Sequence, residues 1–102
     1  MLIKIKNLAG EFAENKDVAK ELRVTKIMPT LEKGNVVVLD FSGVSGATQS
    51  FIHALISEPI RQFRDVALEK IEYKNCSAVV QEVIKTVSEY MQESLDSENY
   101  EE

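Results

Sequence analysis

Apolar positions along this chain switch between a two-residue and a three- to four-residue spacing, and the switches mark alternating strands and helices. Residues 2–6 (Leu2-Ile3-Lys4-Ile5-Lys6) alternate apolar and charged as a half-buried strand does, with Leu2 out of phase. Leu8 to Phe12 contains Gly10 and predicts a turn with a short extended piece around Phe12. Asn15 or Asp17 supplies the cap of a helix running to about Glu32, with Val18, Leu22, Ile27 and Leu31 on its apolar side. Pro29 lies inside that span. It lacks an N–H and crowds the carbonyl one turn back, so a kink or break is expected there. Gly34-Asn35 stops the segment.

Val36-Val37-Val38-Leu39-Asp40-Phe41 is the clearest strand. Its unbroken β-branched run is what a strand buried on both faces in the centre of a parallel sheet requires. After Ser42-Gly43-Val44-Ser45-Gly46 a second helix begins near Thr48. Phe51, Ile52, Leu55, Ile56, Ile60 and Phe63 form its apolar face, Ser50, His53, Ser57 and Arg61 fall on the other side, and Pro59 should bend it. Leu68 to Tyr73 alternates imperfectly and predicts a third strand. Ser77 is placed to cap a third helix, whose stripe is Val80, Val83, Ile84, Val87, Met91 and Leu95. Strands alternating with helices predict a small α/β domain: a mixed or mostly parallel sheet with three covering helices. Local sequence leaves open whether the first strand pairs parallel or antiparallel at an edge.

The length of 102 residues suits one domain, and 44% hydrophobic with 28% charged residues is an ordinary globular composition. The net charge of −5 resides in the C-terminus: Glu93, Asp96, Glu98, Glu101 and Glu102 are balanced by no lysine or arginine after residue 92. The expectation is a domain over residues 1–96 and an acidic disordered tail over 97–102. The electroneutral body argues against nucleic acid as the main partner. Apolar runs are too short for a membrane span or a signal peptide, so the chain is expected to be cytoplasmic and without a membrane partner. The single cysteine, Cys76, forbids an internal disulfide and fits a reducing compartment. Asn75-Cys76-Ser77 formally matches a glycosylation acceptor, a chance match in a chain read as not exported.

Candidate chemistry is sparse. His53 and Cys76 stand in no metal-ligand spacing, and Gly43 and Gly46 belong to neither a phosphate loop nor a dinucleotide fingerprint. No nucleophile elbow is present. The sequence therefore predicts no catalysis, no metal and no cofactor. Asp40 ends a strand, a place where α/β enzymes often put functional groups, but the plainer role is bracing the turn that follows. His53 is expected to be an exposed surface histidine. Cys76 precedes a helix, which favours a thiolate, although free cysteines are usually partly buried and inert.

The segment from Asp40 to Phe51 stands apart. Its hydroxyls and small residues leave the backbone approachable, and the helix start supplies free N–H groups. Here the sequence resembles a STAS domain, the fold of anti-sigma-factor antagonists and sulfate-transporter tails. The likeness is greatest to bacterial STAS-like proteins. It rests on Val36-Val37-Val38-Leu39-Asp40-Phe41-Ser42-Gly43-Val44 and Thr48-Gln49-Ser50-Phe51-Ile52-His53-Ala54-Leu55, and it extends over residues 2 to about 92. In the antagonists the turn is followed by Asp-Ser-Ser-Gly, whose first serine a partner kinase phosphorylates. The matching stretch here is Thr48-Gln49-Ser50-Phe51. Gln49 stands at the phosphorylated position and cannot take phosphate, which leaves Ser50 and Thr48 as substitutes. The resemblance implies a regulatory protein–protein interaction domain that works with a histidine-kinase-like ATPase. The partner surface it implies is Ser42, Gly43, Ser45, Gly46, Thr48, Gln49, Ser50 and His53. The rival reading is a small-ligand or nucleotide-binding sensor that uses the same turn.

Overall fold

In a computed structural model the backbone is described over residues 1–100 and the side chains over residues 1–94. Three parallel strands, β1 (Leu2–Lys4), β3 (Val37–Asp40) and β5 (Ile71–Lys74), form a sheet in the order β1-β3-β5. Leu2, Ile3 and Lys4 register with Val38, Leu39 and Asp40, and β5 matches β3 from Val37↔Ile71 to Asp40↔Lys74. The valine-rich segment is thus the central strand, and the first strand joins it parallel. A second, two-residue parallel ladder pairs β2 (Phe12–Ala13) with β4 (Gly46–Ala47).

The first strand is shorter than residues 2–6. At Ile5 the chain turns into α1 (Ile5–Ala9), because Ile5 and Ala9, four apart, both pack on the core in a helical turn. Asn15 caps α2 (Lys16–Leu22), its side chain accepting from the N–H groups of Asp17 and Val18. The helix does not break at Pro29. It passes through a π-helical turn (Arg23–Ile27) into α3 (Met28–Glu32). The five-residue step from Leu22 to Ile27 is one residue too long for an α-helical stripe, and the wider turn absorbs it. Ala19, Leu22, Ile27 and Leu31 therefore all reach the core.

Thr48 caps α4 (Gln49–Phe63), which runs through Pro59. Proline deprives the Leu55 carbonyl of its helical donor. Next to it, the Ala54 carbonyl accepts from Arg23 Nη1 at 3.0 Å, an outside bond in the stretch that Pro59 weakens. Helix α5 (Asp65–Lys70) then leads into β5, so the expected strand over Leu68–Tyr73 starts three residues later and ends one later. The apolar residues Val66 and Leu68 stay partly exposed on that helix. Ser77 caps α6 (Ala78–Tyr100), accepting from the Val80 N–H, and Val80, Ile84, Val87 and Met91 of its expected stripe are buried, while the Leu95 side chain lies outside those described. The segment expected to be an acidic tail begins within the span of α6, and residues 101–102 lie outside the described residues.

Helix α4 packs between α2 and α6. Being flanked on both sides, it buries Ser57, which the sequence had placed on a solvent side, while Ser50 and His53 one to two turns earlier remain exposed. The helices cover one face of the sheet. On that face Ile3, Val37, Leu39 and Ile71 are buried. On the other, Leu2 is 58% exposed, Val36 and Val38 are half-buried, and Glu72 is exposed. The expected burial of the central strand on both faces is corrected accordingly: this sheet is a single layer with helices on one side.

Candidate functional site

All three sheet strands run in one direction, so their carboxyl ends share one rim, and the turn after β3 stands on it. Val44 N–H donates to the Phe41 carbonyl at 2.9 Å, closing a four-residue turn. Gly43 occupies its third position at φ +80°, a conformation a β-carbon disfavours. An added methyl there would also meet the Lys6 side chain at 2.7 Å. Val44 is buried and plugs the turn from below, while Ser42, Gly43 and Ser45 are exposed.

Three further sets of bonds hold the turn. Asp40 Oδ1 accepts from the Ser42 N–H at 2.9 Å and from Asn75 Nδ2 at 3.0 Å, joining the ends of β3 and β5. These bonds, the Asn75 one foremost, hold the Asp40 carboxyl below its ordinary range. Lys4 and Lys74, its neighbours in the register, add to the effect against some desolvation. Asp40 therefore braces the turn. Ser45 gives both its N–H (2.7 Å) and its hydroxyl (3.2 Å) to the Glu11 carbonyl, and the Ser77 hydroxyl donates to the Ser45 carbonyl at 3.3 Å. Thr48 N–H donates to the Ala13 carbonyl at 2.9 Å, seating the start of α4 against β2.

The eight residues expected to form a partner surface do not all face outward. Ser42, Gly43, Ser45, Gln49, Ser50 and His53 are exposed. Gly46 is buried in the ladder with β2, where a β-carbon would lie 2.9 Å from the Phe12 ring, so it serves as a spacer and offers no contact. Thr48 is half-buried and its Oγ1 accepts the Phe51 N–H at 3.1 Å, so that oxygen is engaged as the helix cap. Of the two hydroxyls considered for phosphorylation, Ser50 is the exposed one.

The structure adds residues that local sequence did not single out. Lys16, at the start of α2, lines an open hollow of about 420 Å³ with Gln49, Ser50, His53 and Ala54. Gln49 also borders a smaller hollow with Glu82, Val83 and Thr86 of α6. Phe12, half-exposed, covers Gly46 beside the turn. The signal for Phe12 was an aromatic in a short extended piece. Lys16 had no signal, because its approach depends on how α2 packs on α4.

Cys76 is partly buried, and burial, then the Asp40 charge, pushes its thiol up. The thiolate that a helix start favours is thus opposed. Burial likewise pushes the Tyr73 phenol up, against a hydrogen bond with Ser88 that ties β5 to α6. Among the described residues no helix is long and apolar enough to cross a membrane.

No curated protein and no solved structure matches the chain. A family model described as a STAS-like domain of unknown function matches residues 18–81, from α2 through the turn and β5 into α6. With that match over more than half of its length, and with a parallel α/β fold that agrees with it, the chain belongs to the STAS-like domain family.

Proposed function

We propose that this protein is a non-enzymatic regulatory module that docks a partner protein on the turn Ser42–Ser45 and the exposed start of α4. The observation that carries the reading is the turn itself. Its backbone is exposed yet tied to Glu11, to Asn75 through Asp40 and to Ser77, and Gln49, Ser50 and His53 stand beside it. Loops that carry recognition on a rigid frame have this character. Phe12 adds an apolar anchor at the margin, the kind of residue that dominates interface energetics. The proposed partner is a histidine-kinase-like ATPase and the proposed location is the cytoplasm. Ser50 is the proposed point of modification, if the surface is switched by phosphate.

Gln49→Glu tests the reading. Gln49 is exposed in the first turn of α4, where a carboxylate suits the helix dipole, so the fold should hold or gain slightly. Partner binding should weaken by about tenfold, the size of one substantial interface contact. The control is Glu89→Lys on the exposed side of α6. Affinity capture from the native cell with wild type and both variants, quantified by mass spectrometry, should yield proteins lost with Gln49→Glu and kept with Glu89→Lys. The opposite pattern moves the interface to α6.

Lys16 beside the start of α4 favours a second reading, a sensor for an anionic small ligand. Amide shifts confined to Lys16, Gln49, Ser50 and His53 on adding ATP or GTP would select it over the first.

A further inference from the structure

Strand β1 is an edge of the sheet, and it offers a ligand open backbone that the turn does not. Its only strand partner among the described residues is β3. Leu2 registers with Val38, and the Val38 N–H donates to the Met1 carbonyl at 2.7 Å. In a parallel ladder the backbone groups alternate in direction, so Met1 and Ile3 turn theirs toward β3. The N–H and C=O of Leu2 and the N–H of Lys4 therefore face away from the sheet.

Those groups border a groove of about 400 Å³ lined by Met1, Leu2, Ile3, Lys4, Asn7, Leu8 and Lys26. Met1, Leu2 and Leu8 are 54%, 58% and 49% exposed, an apolar patch at an open strand edge. Native edges are normally blunted by charge, covered, or used for pairing. The opposite edge, β5, is blunted: its Glu72 and Lys74 are exposed and α5 leads directly into it. The β1 groove is lined by two lysines and no carboxylate.

We infer that β1 is a strand-addition site for an extended segment of a partner protein in which acidic residues alternate with apolar ones. The segment's backbone pairs with Leu2 and Lys4, its apolar side chains lie on Met1, Leu2 and Leu8, and its carboxylates meet Lys4 and Lys26. Edge-strand recognition of this kind takes affinity from main-chain bonds and specificity from alternate side chains. None of the residues lining this groove belongs to the turn or to the start of α4, so its test and that of the turn fail independently.

The test uses the full chain, 15N-labelled, and three capped hexapeptides: Glu-Val-Glu-Ile-Glu-Val, the same peptide with lysine for each glutamate, and the acidic peptide with alternate backbone nitrogens methylated. The acidic peptide should shift the amides of residues 2–4, Leu8 and Lys26, and slow hydrogen exchange at Leu2 and Lys4 by at least about tenfold at saturation. The lysine peptide should bind at least about tenfold more weakly, since like charges meet across the groove. The methylated peptide should not bind, and Lys26→Glu should narrow the preference between the first two to less than about threefold. Lys26 is exposed and away from Asp40 in the sequence, so that variant keeps the fold, which its melt verifies. Equal binding of the methylated peptide overturns strand addition, and equal binding of the lysine peptide overturns the acidic partner. Shifts centred elsewhere, or no binding, overturn the site. Protection of Leu2 and Lys4 that rises with protein concentration alone assigns the edge to a second copy and overturns the partner segment.

Discussion

Adjacent residues of β3 should respond to the same substitution in opposite ways. Leu39 is fully buried on the helix-covered face, whereas Val38 is half-buried on the open one. Replacing Val38 with aspartate gives up roughly half of the 1.5–3 kcal/mol that full burial of such a side chain is worth, about 1 kcal/mol. Lower strand propensity costs up to about 1 kcal/mol more. Glu72 lies directly opposite in the register, and a like-charge cross-strand pair adds about 0.5 kcal/mol. The sum is about 2–3 kcal/mol. For a domain of this size that lowers Tm by about 10–20 °C and leaves a cooperative transition. Leu39→Ala should cost about 3 kcal/mol, within the range for deleting a buried leucine. Leu39→Asp should leave no folded state, because an unpaired buried charge consumes most of a stability of about 5–15 kcal/mol. Thermal and urea melts of the three variants, followed by circular dichroism, measure this. If Val38→Asp abolishes the transition, or Leu39→Asp melts like wild type, the one-sided sheet is wrong.

Arg23→Ala should lower stability by about 1 kcal/mol, at the weak end for a charged hydrogen bond because the guanidinium is only half-buried. A urea midpoint equal to wild type would mean that the Ala54 carbonyl needs no outside donor. The depressed Asp40 carboxyl contributes stability that is present above its ordinary 3.8 and lost as pH falls through its lower folded value. Asp40→Asn should therefore flatten the acid limb of urea midpoints taken between about pH 5 and pH 2, and an unchanged limb would refute the bracing role. Iodoacetamide should alkylate Cys76 several-fold more slowly at neutral pH in the folded chain than in urea, since burial keeps the thiol protonated. A faster folded-state reaction would contradict this.

What the sequence disclosed follows from which forces act locally. The central strand, read as Val36–Phe41 and found as Val37–Asp40, the helix starts at Asn15 or Asp17, near Thr48 and at Ser77, and the α6 stripe as far as Met91 were legible, because each depends on residues within a turn or two. The start of β5 was misjudged because Leu68 and Glu69 fit either period, and only packing against the rest of the fold selects a helix. The π-turn had a readable sign, the five-residue step from Leu22 to Ile27, which the prominence of Pro29 obscured. At the site, Gly43 was legible as a turn residue. The burial of Gly46 was not, because it arises from a ladder with residues more than thirty positions earlier. Lys16 comes to line one hollow with Gln49 only through helix packing, and the open face of the sheet depends on where the helices sit. Neither is written in a local pattern.

The bracing of the turn has a kinetic corollary. A loop that must first be ordered is captured slowly, and its association rate falls with the population of the competent form. The segment between Asp40 and Thr48 is held instead by the Glu11 and Ala13 carbonyls, the Ser77 hydroxyl and the Asp40 carboxylate that Asn75 secures. A partner that docks there as proposed should meet the turn in its final shape on first encounter. Association should then be a single exponential whose rate rises linearly with concentration, at the roughly 10⁵–10⁷ M⁻¹s⁻¹ set by orientation alone, and differences among related occupants should lie in how long each one stays.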